Sequence, residues 1–243
     1  MKPEITLWRT PPQELNNHVG EVQLWRFHLD CLEHEINSLK NLLSTDETIR
    51  ADRLLDLQKK QQFIVARGRL RQILGRYQRT APDKIKFQYN KYGKPSLPES
   101  HCSTLSFNLS HSENLAVLAI TKEADIGVDI EKLDPDMVFS QIVDRYFDEA
   151  EKLQLAQYSN ERQGRGFYRI WTKKEAILKL EGVGFQKTST KGDHFKIKKT
   201  YLKVFPIVPG FICSIAIRQK LLSIQRFNFP GLCANHFYKR RCL

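Results

Sequence analysis

The chain has 243 residues, 41% hydrophobic and 27% charged, the balance of a globular protein long enough to bury a core without disulfides or a structural metal. No run approaches the ~18 consecutive apolar residues of a membrane span, since the longest apolar-rich stretch, 205–217, is broken by Pro206, Pro209, Gly210 and Ser214. Thirty-nine Lys and Arg against 27 Asp and Glu leave a net charge of +12, so anionic partners are expected, with nucleic acid first on charge alone.

After an irregular, proline-bearing lead-in over 1–20, residues 22–29 alternate as a strand, with Val22 and Leu24 on one face and Trp25, Phe27 and Leu29 on the other. Leu32, Ile36, Leu39 and Leu43 recur at helical steps, and Ser44 to Glu47 matches a capping box that opens a second helix. A longer helix reaches about Tyr77, with Phe63, Ala66, Leu70, Ile73 and Tyr77 on one face and Arg67 and Arg71 on an adjoining one. A strand is predicted at 85–89 and a turn at 90–95. Residues 115–120 and 126–131 read as the two arms of a hairpin. Helices are predicted near 137–147, 148–157 and 162–181, the last stopping at Gly182, and strands near 194–198, 201–205, 211–218 and 222–227. Both halves hold helices and antiparallel-type strands without βαβ alternation, so the fold class is α+β, and two subdomains are expected to meet near 105–125. The five scattered cysteines form no C-x-x-C pair, and Met1 to Trp8 lack the apolar core of a signal peptide, so a cytoplasmic location is expected.

Three clusters carry chemistry. In Gly127-Val128-Asp129-Ile130-Glu131 the period of a strand sends Ile126, Val128 and Ile130 inward while Asp129 and Glu131 share the other face. Two such carboxylates either converge on a hard cation such as Mg²⁺ or form the acidic face of a solvated edge. In the helix around Trp171 to Lys179, Glu175 and Lys179 lie one turn apart, as an ordinary surface ion pair or as a metal ligand or base beside a phosphate-binding lysine, with Lys174 as a second such lysine. In Phe107-Asn108-Leu109-Ser110-His111-Ser112 the Ser-His pair lacks the nucleophile elbow of a hydrolase. Ser110 and His111 instead suit hydrogen bonding to a phosphate.

Taken together and in this order, F-N-L-S-H-S, G-V-D-I-E and W-T-K-K-E-A-I-L-K resemble the 4'-phosphopantetheinyl transferase superfamily, in its larger, surfactin-synthetase-activating type and its cyanobacterial branch. The resemblance runs upstream through Tyr92-Gly93-Lys94-Pro95 and covers most of 20–185. It implies a monomeric pseudo-dimer of two similar α+β subdomains, here 1–112 for the nucleotide end of coenzyme A and 113–243 for metal and catalysis. It also implies transfer of phosphopantetheine from coenzyme A to a serine of an apo acyl or peptidyl carrier protein of fatty-acid, polyketide or peptide synthesis. By motif, Asp129, Glu131 and Glu175 would bind Mg²⁺, or Mn²⁺ in its place, with Glu175, Lys179 and His111 as catalytic residues. Arg50, Arg53, Lys94, Ser110, His111, Lys174 and Lys179 would bind coenzyme A. Relatives carry lysine where this chain has Thr48 and Ala51, which is why Arg50 and Arg53 enter, with Arg67 as a further candidate. Acidic carriers account for the positive charge without nucleic acid. The alternative, a basic nucleic-acid-binding protein, lacks a helix-turn-helix, RNP or zinc-finger signature. Neither a membrane nor a nucleic-acid partner is expected.

Overall fold

Strand β1, Glu21–His28, is buried on both faces, and this sets the layering. Trp25 and Phe27 face one apolar core, built with the helices that follow, while Val22 and Leu24 face a second core shared with another sheet. A computed structural model describes residues 7–98, 104–183 and 199–230. The strand predicted at 194–198, Gly184 and three of the cysteines (Cys102, Cys233 and Cys242) lie outside the described residues.

Helices α1 (Glu33–Lys40), α2 (Thr45–Asp52) and α3 (Leu57–Gln78) cover the first face of β1. The capping box does more than start α2. The Glu47 carboxylate accepts from the Ser44 amide at 3.1 Å and also from Arg71 Nε of α3 at 2.7 Å. Arg71 is 1% exposed and gives further bonds to the Pro82 and Ile85 carbonyls. Burying a helix arginine this way requires its carboxylate partner. Glu47→Ala is therefore expected to cost about 3 kcal/mol or more, because it strands a buried charge, and urea unfolding would measure the loss.

That same arginine shortens the strand expected at 85–89. Pro82–Lys84 forms a 3₁₀ turn and the Ile85 carbonyl is committed to Arg71 at 2.7 Å, so only β2 (Gln88–Tyr89) remains to pair with β3 (Pro95–Ser96).

The hairpin expected between 115–120 and 126–131 does not form. Strand β4 (Leu105–Ser112) turns at Glu113, whose φ is +53°, into β5 (Leu115–Lys122), and these two are the hairpin. With β4 on one side and β1 on the other, β5 has no edge left to offer. Strand β6 (Ile126–Lys132) joins β7 (Tyr201–Pro206) and β8 (Phe211–Ile217) in a second sheet ordered β6-β8-β7. A subdomain boundary at 112/113 would fall in the β4–β5 turn; the chain leaves the first sheet only after Lys122. The last described strand, β9 (Ser223–Asn228), returns to the first sheet and pairs with β1 in parallel, giving the order β4-β5-β1-β9. Apart from that pairing the strand ladders among the described residues are antiparallel.

The two sheets pack face to face through Val22, Leu24, Val117 and Ala119 on one side and Val128, Ile130 and Ile215 on the other. Helices α4 (Ser140–Tyr146), α5 (Glu149–Ala156) and α6 (Asn160–Glu181) follow β6, and α6 packs on β6 and β8. The α+β expectation of sheets packed with helices therefore holds.

Candidate active site

Gly127 allows α6 to lie directly on β6. A Cβ there would sit 2.0 Å from the Ala176 carbonyl oxygen and 2.4 Å from the Leu180 amide nitrogen. At the end of α6, Gly182 adopts φ +65°, the left-handed cap conformation that suits glycine. This close contact carries Glu175 and Lys179, one turn apart on α6, to the face of β6 that bears Asp129 and Glu131.

Lys179 Nζ donates to Asp129 Oδ1 at 2.6 Å and to Ser110 Oγ at 2.8 Å, and Ser110 Oγ donates to the same Asp129 oxygen at 3.1 Å. Asp129 is 2% exposed, and its Oδ2 is buried with no hydrogen-bond partner among the described residues. Ser112 Oγ donates to Glu131 Oε2 at 2.9 Å. Burial raises the pKa of Asp129 against the pull of Lys179. It raises that of Glu131 as well, helped by the Asp129 charge. Glu175 is pushed up to about 7, first by burial and then by Asp129 and Glu131, with Lys179 opposing. Three carboxylates that each resist ionisation, beside one ammonium, form a cluster short of positive charge.

Among the described residues, no three acidic, imidazole or thiol groups stand in a ready-made metal-binding arrangement. The cation bonded to Asp129 is the Lys179 ammonium. The donor set still fits a hard divalent ion. It is all oxygen, it is over-supplied with negative charge, and the orphaned Asp129 Oδ2 is a buried acceptor that a cation would satisfy.

The cluster opens onto a cleft of about 310 Å³, lined by Tyr92, Gly93 and Lys94 of the 90–95 turn, by Asn108 of β4, and by Glu175 and Lys179 of α6. Two side chains join its walls. Asn90 Nδ2 donates to the Gly182 carbonyl at 2.8 Å, while its Oδ1 accepts from the Tyr92 and Lys94 amides. Lys94 Nζ donates to the Ile126 and Leu180 carbonyls at 3.2 and 3.1 Å, and burial lowers its pKa. Lys94, expected at the nucleotide end, thus lines the cleft but spends two of its three donors tying the 90–95 turn to β6 and α6.

The remaining expected residues divide. Ser110 is 5% exposed, with its hydroxyl inside the carboxylate cluster. His111 points to the opposite face of β4, the face of Leu109, which lines the cleft. Burial and the Lys179 charge lower its pKa, and both disfavour the charged imidazolium. Lys174 does not join the site. It makes a two-pronged ion pair with Glu151 of α5, at 3.0 and 2.9 Å. Neighbouring helix residues point about 100° apart, so with Glu175 aimed at the cleft, Lys174 is turned toward α5. Arg50 of α2 and Arg53 at its C-cap are exposed and do not line the cleft; the Arg50 guanidinium lies over the Phe63 ring at 5.6 Å.

Sequence reasoning missed Asn90, Asn108 and Ser112. The signal was the alternation of polar side chains at 108, 110 and 112, which in a strand share one face.

Comparison with known proteins points to one family. The family profile for the 4'-phosphopantetheinyl transferase superfamily matches residues 125–205, and that for the 4'-phosphopantetheinyl transferase N-terminal region matches 29–123. The two matches abut where the chain passes from β5 to β6. HetI of Nostoc sp., a 4'-phosphopantetheinyl transferase, is 39% identical over 181 residues, covering 74% of this chain and 76% of HetI. The Synechocystis sp. protein slr0495, provisionally named for the same activity, is 35% identical over 59% of this chain and 58% of its own. The 4'-phosphopantetheinyl transferase Sfp of Bacillus subtilis is 29% identical over 58% of this chain and 67% of Sfp. These relatives fit the surfactin-synthetase-activating type and its cyanobacterial branch, and they decide against the nucleic-acid-binding alternative. With its motifs assembled at one cleft and three quarters of HetI matched, the chain belongs to the 4'-phosphopantetheinyl transferase superfamily.

Proposed function

We propose that this transferase moves the phosphopantetheine arm of coenzyme A onto a serine of an apo acyl or peptidyl carrier protein, and that it requires Mg²⁺. The observation that supports this reading most is the placement of Asp129, Glu131, Glu175 and Lys179 together at an inter-subdomain cleft. In this reading Glu175 accepts the proton of the carrier serine as its Oγ bonds to the phosphorus next to the pantetheine arm. The bridging P–O bond breaks, and adenosine 3',5'-bisphosphate leaves with the electron pair. A base pKa of about 7 matches this task at neutral pH. Lys179 holds charge that develops on the pyrophosphate. Asp129, Glu131 and Glu175 would hold Mg²⁺, which when bound supplies further charge neutralisation to the pyrophosphate.

The cleft-lining turn Tyr92-Gly93-Lys94 supports coenzyme A binding there, with the 3'-phosphate toward the arginines of α2 and α3. Arg67, between the Phe63 and Tyr89 rings at 5.6 and 5.8 Å, joins Arg50 as a candidate for that contact. The net +12 favours encounter with acidic carriers. Division into a nucleotide-end half and a metal-bearing half remains part of this reading, with the divide after Lys122. A cytoplasmic setting suits coenzyme A and the buried free thiol of Cys213; among the described residues, no helix is long and apolar enough to cross a membrane.

Incubation with coenzyme A, Mg²⁺ and an apo carrier protein tests the proposal directly. Intact mass spectrometry should show the carrier gaining one phosphopantetheine; turnover of coenzyme A without modification of the carrier would overturn it.

The raised pKa of Glu175 carries a stability signature. Because its folded value, about 7, exceeds the ordinary 4.5, the group stabilises the fold at low pH, and that contribution is lost as pH rises through 7. Without divalent ion, the melting temperature relative to Glu175→Gln should therefore fall between pH 5 and 8. Added Mg²⁺ should stabilise the protein more at pH 8 than at pH 5, where the carboxylates hold protons. Differential scanning fluorimetry reads both effects.

A further inference from the structure

Strands β4 and β6 lie side by side in different sheets and are not joined by a backbone ladder. Side chains of β4 take its place. Asn108 Oδ1 accepts from the Val128 amide at 2.9 Å, Ser110 Oγ from the Ile130 amide at 3.4 Å, and Ser112 Oγ from the Lys132 amide at 3.1 Å. The offset is 20 residues at every rung, so the amides along the outer edge of β6 are satisfied by one polar face of β4.

The two serine rungs do something the asparagine rung does not. A hydroxyl that accepts from an amide has its own proton left to donate, and each serine donates it to the carboxylate one residue before that amide. Ser110 donates to Asp129 and Ser112 to Glu131, at 3.1 and 2.9 Å. The amide bond fixes the oxygen, and the donated proton then fixes the carboxylate. Glu131 has three rotatable side-chain bonds and is partly exposed, so it has the most freedom to lose. The indole N–H of Trp171 on α6 supplies its second hold.

From this geometry we infer that Ser112 is a positioning residue for the cation-binding carboxylates, acting through Glu131 and tying its orientation to the first subdomain. This rests on the proposed divalent-ion site. The carboxylate group is thereby held from two directions, by β4 of one subdomain and α6 of the other, in the orientation a shared ion requires. Hydroxyls placed behind ligating carboxylates in this way typically alter metal affinity by about 10–100-fold when removed.

The test compares Ser112→Ala, Ser112→Thr and Asp129→Ala with the parent enzyme. Mn²⁺ binding is read by electron paramagnetic resonance in the presence of coenzyme A, alongside the Mg²⁺ concentration that half-saturates transfer. Ser112→Ala should weaken Mn²⁺ binding and raise the Mg²⁺ requirement about tenfold. Its melting temperature should change by no more than about 2 °C, because the Lys132 amide it releases is exposed and water can replace the bond. Ser112→Thr, which keeps the hydroxyl, should restore both readouts. Parent-like Mn²⁺ affinity in Ser112→Ala, with loss in Asp129→Ala, would overturn the inference and leave the metal site standing. Unchanged affinity in both variants would instead reject the metal site itself. Weak binding that Ser112→Thr fails to rescue and that tracks a collapse in melting temperature would assign Ser112 a purely structural role.

Discussion

Glu175→Gln is expected to lower kcat/KM for carrier modification by about 10²–10⁴-fold, the range over which a positioned general base contributes. The amide keeps the shape of the side chain but cannot take the serine proton. It also removes one of three carboxylates whose mutual repulsion helps push Glu175 to about 7. Because the amide carries no buried charge at high pH, the protein should lose none of its stability at pH 8. A steady-state assay of holo-carrier formation, run beside thermal melts, separates this outcome from simple unfolding. Near-parental activity would reject Glu175 as the base, and activity lost together with the fold would point to a structural role. In the parent enzyme, the acid limb of the rate profile should reflect the ionised form of Glu175, and that limb should disappear from the residual activity of the glutamine variant.

Gly127→Ala is expected to be the most damaging single-methyl change in the site. The new Cβ would meet the Ala176 carbonyl at 2.0 Å and the Leu180 amide at 2.4 Å, both backbone atoms of a 22-residue helix that cannot turn aside as a flexible side chain would. Relief requires α6 to lift from β6. Overpacking on this scale costs about 3 kcal/mol or more, which for a chain of this size lowers the melting temperature by roughly 6–12 °C. Lifting α6 also withdraws Lys179 from Asp129 and Glu175 from the shared cluster, so transfer should fail even where the variant remains folded. Gly127→Ala with parental stability would show that α6 does not sit against β6 as described.

Local pattern made much of this molecule legible in advance. Leu24 and Trp25 fall on opposite faces of β1 because strand geometry alternates, whatever the strand pairs with. The capping box at Ser44 and Glu47 and the stop at Gly182 are short-range chemistry, set by groups within four residues of each other. The sharing of one β6 face by Asp129 and Glu131 follows from the same period of two. What failed was partnership at long range. Residues 115–120 and 126–131 are both strands, as their alternation implies, yet β5 is closed on both sides by β4 and β1, and β6 pairs with β8 more than eighty residues on. Arg71 read as one residue of a helix face, although it is buried against Glu47 from another helix.

The site divides along the same line. Residue order alone sets which side-chain types are available: two carboxylates on a strand, a glutamate and a lysine one turn apart on a helix, and a polar face on a third element. It could not determine which of two adjacent helix side chains, Lys174 or Glu175, meets the cleft, since that depends on the rotation of α6 about its axis. Packing in three dimensions settles it, through the missing Cβ of Gly127 and the claim of Glu151 on Lys174. It also decided that Ser110 and Ser112 turn their hydroxyls to Asp129 and Glu131. Side-chain periodicity is local, whereas the meeting of β4, β6 and α6 is a packing result spread over seventy residues.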